Sequence, residues 1–180
     1  MKFLNNYLAC LLTLLLSGLC IFQASAQMAA ATRVKYDIDR STSVSLSAFK
    51  VWQLLLDDGQ ISRISDGYIT ASLSEDKKTP VHRVVTFSTG KPRKEIVSQI
   101  EHDKYLLVYT VSKSSLKEIP LYIGIDEIQF VVTVKDKDDK TTINWKVKVL
   151  GNESAKNSAL EQLNQEISHY ENGFKKIDLQ

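Results

Sequence analysis

Across residues 153–177 the apolar side chains Leu160, Leu163, Ile167, Tyr170, Phe174 and Ile177 step by 3, 4, 3, 4 and 3, and no proline interrupts them. That spacing predicts one apolar stripe down a long amphipathic helix. A stripe of this length has to be buried against a broad concave surface. The surface is encoded upstream. The segments 68–73, 81–88, 95–101, 105–112, 125–135 and 141–150 have period-two patterning and are separated by clusters of Gly, Pro, Asp, Lys and Ser. In the last of them Thr141, Ile143, Trp145, Val147 and Val149 share one parity, and Thr142, Asn144, Lys146 and Lys148 the other. This is an antiparallel strand with one dry and one wet face. A strongly twisted sheet of such strands is the partner expected for the helix.

The chain before these strands supplies one more strand and a plug. Val34, Tyr36 and Ile38 alternate with polar residues and Val44 and Leu46 resume the same parity, so a first strand running toward Leu46 is expected, with or without an interruption near residues 40–43. Ser47 then suits an N-cap, followed by a helix over residues 48–57 closed at Gly59. The run FKVWQLLLDD inside it is apolar on nearly every side, which calls for burial on two flanks. Lys50 is the only basic residue beside it, too little for a membrane-surface helix.

Lys2, the apolar stretch 8–22 and the small residues Ala24, Ser25 and Ala26 have the layout of a secretory signal peptide. The stretch is short of the ~20 residues of a spanning helix and is interrupted at Ser17 and Gly18. The expected organisation is therefore a signal peptide over residues 1–26 and one domain over residues 27–180, periplasmic or secreted, with no stable membrane insertion after cleavage. Cys10 and Cys20 both fall in the part removed, which leaves no disulfide, thiolate nucleophile or Cys-bound metal, and Leu19 before Cys20 argues against a lipid anchor. The net charge of +2, with both signs interspersed, gives no footprint for nucleic acid.

The order strand, short helices, six strands, long helix resembles the helix-grip order of the SRPBCC superfamily, which includes polyketide cyclases and dehydratases, START lipid-transfer domains and birch-pollen-type allergens. Three stretches carry the resemblance: LSAFKVWQLLLDD, with Val51, Trp52, Leu55 and Asp57 or Asp58; HRVVTFSTGKPRKEIVSQIEHDKYLLVY, with Arg83, Gly90, Glu95 and Tyr109; and TTINW, ending at Trp145. It spans about residues 34–177. An aromatic common after the first helices is replaced near Arg63 and Ile64, and the allergens' glycine-rich loop is absent. The fold implied is α+β: a seven-stranded antiparallel sheet wrapped around a long C-terminal helix, with two short helices after strand 1 plugging one end of a cavity.

The resemblance makes Arg83, Val85, Phe87, Glu95, Leu107, Tyr109, Trp145 and Ile167 the cavity lining. The implied ligand is a hydrophobic or amphipathic small molecule, lipid-like or polyketide-like, with its head at Arg83 or Glu95. Neither cofactor nor metal is implied. Arg83 and Glu95 equally admit pairing with each other as a buried ion pair that only completes the core. The cyclase branch offers a second functional reading, with Arg83, Glu95 and Tyr109 as oxyanion stabiliser, base and acid. A third is a protein-interaction module whose cavity is filled. No residue pattern selects a reaction, so binding is the reading taken. His82, His102 and His169 have no metal-like spacing and are expected at the surface, and the run KDKDDK at residues 135–140 reads as a solvated turn. N-terminal sequencing of the exported protein is expected to read Gln27 first; a chain beginning at Met1 or carrying a lipid on Cys20 would overturn the signal-peptide assignment.

Overall fold

The first strand is unbroken. In the computed structural model, which describes residues 34–75 and 80–180, β1 (Ile38–Val44) pairs antiparallel with β7 (Lys140–Gly151), with Ile38 opposite Val147 and Val44 opposite Thr141. Of the two alternatives at residues 40–43 the continuous strand is the one formed, because the inward parity continues through polar residues. Thr42 is buried, and Arg40 donates to the Asn164 carbonyl at 3.1 Å and to Ser168 Oγ at 2.9 Å, and pairs with Glu171. The proposed signal peptide lies outside the described residues. The folded unit is Tyr36–Gln180.

The remaining strands are β2 (Ile69–Ser74), β3 (Val81–Phe87), β4 (Pro92–Glu101), β5 (Leu106–Val111) and β6 (Ile125–Lys137). They form one seven-stranded antiparallel sheet in the order β1-β7-β6-β5-β4-β3-β2. β4 departs from strict alternation. A bulge between Val97 and Gln99 turns Gln99 outward, although its parity groups it with Glu95 and Val97.

After β1, Ser47 caps helix α1 (Ala48–Leu56) by accepting from the Lys50 amide, and a 3-10 turn leads into the short α2 (Ile61–Ile64). Val51, Trp52, Leu54 and Leu55 are buried, whereas Phe49 is 59% exposed, so the apolar run faces inward on part of its circumference only. Trp52 Nε1 donates to His102 Nδ1 at 3.1 Å and its ring lies 5.7 Å from that of Tyr105. α1 thereby closes one end of the sheet's concave face.

A further helix, α3 (Lys113–Glu118), and a 3-10 turn at Pro120–Tyr122 lie between β5 and β6. Six residues are too few to display a helical period, so only the Ser112 cap on the Ser115 amide marks the start. The long helix α4 (Glu153–Asp178) begins at Asn152, whose side chain accepts from the Ala155 amide. Its stripe is the core seam: Leu163, Ile167 and Phe174 are fully buried, and Tyr170 stacks on Trp145 of β7 at 4.8 Å. Among the described residues no helix is both long and apolar enough to cross a membrane.

α2 crosses α4 at Gly173, where a Cβ would stand 2.2 Å from the Ile64 carbonyl oxygen and 2.9 Å from that of Arg63. Alanine favours a helix interior by up to ~1 kcal/mol over glycine, but here it would collide with backbone that has no rotamer to change. Gly173→Ala is expected to destabilise by about 1–3 kcal/mol, as other overpacking does, and to lower Tm by roughly 3–10 °C. A melting curve that rises instead would mean α2 and α4 do not touch there.

Candidate functional site

Beneath the middle of α4 the sheet carries charge into the core. Arg83 of β3 lies directly opposite Glu95 of β4, and its Nε and NH2 donate to Glu95 Oε2 at 2.9 and 2.5 Å. Arg93, two residues before Glu95 on the same face, donates to Glu95 Oε1 at 3.0 and 2.6 Å. The other edge of the Arg93 guanidinium meets both oxygens of Glu166 from α4, each at 2.7 Å, and also reaches Tyr122 Oη at 3.3 Å. All four charged residues are buried, Arg93 and Glu166 completely.

Two cations and two anions cancel, and the planar forks match the carboxylates pairwise, which is the geometry that offsets desolvation. Burial alone would raise the Glu95 carboxyl, but Arg83 and Arg93 outweigh it and hold it below its ordinary value. Burial alone would lower both guanidiniums. Glu95 outweighs it at Arg83, and Glu166 and then Glu95 do so at Arg93, so both are held more firmly protonated. The aromatic faces of Tyr109 and Phe87 lie 4.9 Å from Arg83 and Arg93 respectively. Burial pushes the Tyr109 and Tyr170 phenols up, so both stay neutral.

The structure therefore brings Arg83 and Glu95 together as a pair. Val85, Phe87, Leu107, Tyr109, Trp145 and Ile167 all belong to one buried core, with Tyr109 stacked on Phe130 at 4.6 Å. Arg93 and Glu166 escaped the sequence reading although both left a signal. Arg93 shares the parity of Glu95 once the strand is extended back past the Gly90 turn, and Glu166 stands three residues after Leu163 and four before Tyr170, on the flank of the stripe. A charged residue there reads as solvent-facing until its partner is known.

One open concavity, of about 590 Å³, is bordered by Phe49, Trp52 and Gln53 of α1 and by His102, and another is bordered by no residue of α1. The β3–β4 turn, the segment after α3 and the first half of α4 frame an open concavity of about 620 Å³, bordered by Asp66, Tyr68, Thr89, Glu161, Gln162 and His169. An apolar recess of about 170 Å³ adjoins it, walled by Tyr68, Phe87, Ile119, Pro120, Leu121 and Gln162, with Lys91 at its margin. Of the residues expected to line a cavity, Phe87 borders this recess, its ring edge-on to Tyr68 at 5.4 Å.

His169, expected at the surface, is half-buried with its ring stacked on Tyr68 at 4.5 Å and 13°. It belongs to a second ridge of α4 with Gln162 and Gln165, which the stripe alone does not reveal. Burial and then the negative Glu166 push the Tyr68 phenol up, with Gln162 and Arg93 pulling partly back. Gln162 Oε1 and His169 Nδ1 are both buried without a protein partner.

This architecture is the helix-grip fold, a seven-stranded antiparallel sheet around a long C-terminal helix, as in the plant major latex-like protein and Ara h 8 structures. Among solved structures the chain is similar to the major latex-like protein 151 of Panax ginseng, at 18% identity and TM-score 0.59, over 76% of this chain and 95% of that one. It is also similar to XoxI of Bacillus cereus, at 16% identity and TM-score 0.63, over 79% of this chain and 94% of that one. Norcoclaurine synthase of Thalictrum flavum, solved in complex with dopamine and hydroxybenzaldehyde, matches at 14% identity and TM-score 0.60, over 79% of this chain and 85% of that one. At such identities these likenesses speak for the fold. No family profile and no curated protein sequence matches the chain.

Arg93→Leu leaves Glu166 buried without its cation and is expected to cost about 3–5 kcal/mol in chemical denaturation. Arg93→Leu with Glu166→Leu should recover part of that loss. The Glu95 contribution is complete above its ordinary value of 4.5 and is lost as the pH falls through the lower folded value, so Glu95→Gln should flatten the acid limb of the stability profile. A double variant no more stable than Arg93→Leu would deny that the two residues act as a pair.

Proposed function

We propose that the chain is an exported binding protein for a small amphipathic molecule, taken up at the mouth between sheet and α4. The observation that carries this reading is the apolar recess of about 170 Å³ opening into the polar concavity of about 620 Å³. A dry apolar cavity of ~150 Å³ is enough to hold a benzene ring, so the recess suits one ring or a short run of methylenes. Each methylene buried there contributes ~0.8 kcal/mol before association costs. Phe87, Leu121 and Tyr68 are the apolar contacts, while Val85, Leu107, Tyr109, Trp145 and Ile167 form the packed floor beneath.

In this reading Arg83 and Glu95 support the floor and leave the ligand's polar end to the outer groove. The geometry favours binding over cyclase-type chemistry. A carboxylate bonded through both oxygens to two guanidiniums is a weak base, and Glu95 is held in that state. The norcoclaurine synthase complex with dopamine and hydroxybenzaldehyde places aromatic ligands on the same fold and supports the size class proposed here.

Titration with N-phenyl-1-naphthylamine, an uncharged apolar dye, tests the site. The wild type should enhance its fluorescence at tens of micromolar or below. Phe87→Ala and Leu121→Asp should each weaken binding by about tenfold or more, on the order of the cost of losing an apolar contact or wetting the recess. Leu121 is 47% exposed, so the second variant keeps the fold. A wild type that leaves the dye unchanged, or variants that bind it as well, would overturn the reading.

A further inference from the structure

We infer that the polar end of the bound molecule is a hydrogen-bond-donating cation of the primary-amine class, held by Gln162 and Glu161; this rests on the binding reading above. Gln162 borders both the recess and the outer concavity, so a body seated in the recess delivers its polar end to that side chain. Its Oε1 accepts hydrogen bonds and cannot donate them, and it is buried with no protein donor. An acceptor left so costs free energy until a ligand or water supplies the proton.

His169 makes the same demand two ridge positions further along α4. Its ring is fixed by the stack on Tyr68, and its Nδ1 is buried and unpartnered. In the tautomer that carries its proton on Nε2, Nδ1 is an acceptor. The two positions are seven residues apart, about 10.5 Å along the helix, beyond the reach of one ammonium, so the head sits at Gln162 beside the recess and His169 is a second acceptor further along the concavity.

Charge selects among donors. Glu161 and Asp66 carry carboxylates at the concavity, and Asp66 already accepts from Lys176 Nζ at 2.5 Å, which leaves Glu161 as the counter-ion. The buried cations that would otherwise draw an anion are spent: Arg83 on Glu95, and Arg93 on Glu95 and Glu166. Lys91 borders the recess, and no lysine or arginine borders the outer concavity. A carboxylate head in the concavity would face the Gln162 carbonyl and Glu161, whereas an ammonium there offers three donors to these acceptors.

The test is displacement of N-phenyl-1-naphthylamine by three compounds sharing one apolar body: 2-phenylethylamine, 2-phenylethanol and 3-phenylpropionate. The amine should displace the dye at about tenfold or more lower concentration than the carboxylate, with the alcohol between them, since a charge-assisted hydrogen bond is worth about a factor of ten or more. Gln162→Met keeps the side chain's length and removes the acceptor. It should weaken the amine by about tenfold and the dye by less than about threefold. Glu161→Gln should reduce the preference for amine over alcohol and its dependence on salt. A carboxylate that binds as well as the amine, or an amine indifferent to Gln162→Met, overturns the inference while dye binding keeps the pocket. A wild type that fails to bind the dye removes the binding reading itself, and the inference with it.

Discussion

The bidentate contact between Arg93 and Glu166 is the constraint on which the rest of the site depends. Hydrophobic packing of a helix stripe on a sheet is non-directional and tolerates sliding by a fraction of a turn. Two parallel hydrogen bonds between planar groups do not. With Glu166 held at 2.7 Å on both oxygens, the rotation and height of α4 over β4 are set at one point along its length. Glu95 then couples Arg93 to Arg83, so β3, β4 and α4 are locked in one arrangement.

The mouth follows from that lock. Gln162 lies one turn before Glu166 and His169 three residues after it, so both are carried to the edge of the sheet where β2 begins. Tyr68, just ahead of β2, packs against this ridge, stacking on His169 and meeting Phe87 edge-on. Phe87 works on two sides, with its face towards the Arg93 guanidinium and part of its surface in the recess. The apolar recess is consequently continuous with the charged floor through one aromatic ring. The interior that a wider grip would leave open is occupied by Tyr109 on Phe130 and Tyr170 on Trp145.

Much of this was legible from residue patterns, for identifiable reasons. The α4 stripe and the alternation of β7 are written in side chains whose burial repeats at the period of the backbone, so each residue reports on its neighbours. Trp52 and Leu55 could be read as a plug because an apolar run needs cover whatever covers it. The bulge in β4 was hidden, since a shifted register leaves the residue types unchanged and alters only which face they meet. Helix α3 was hidden because six residues fall short of two turns. His169 was misplaced because an off-stripe histidine is buried only when another element happens to lie over it.

The amino-acid sequence by itself determined the strands, the first and last helices and their inward faces, because hydrophobic periodicity is a local property of the chain, and their order resembled the helix-grip architecture. It also named Arg83 and Glu95 as inward charges. Which charge satisfies which was decided only by the tertiary structure: Glu166 is 73 positions from Arg93, and no local rule relates a helix carboxylate to a strand guanidinium across that separation. The proposed site lies outside the charged quartet for the same reason. Long-range pairing neutralises the deep arginines, and among the described residues Gln162 and His169 are left with unpartnered buried atoms at the outer concavity; unmet hydrogen bonding becomes visible only after every other partner has been placed.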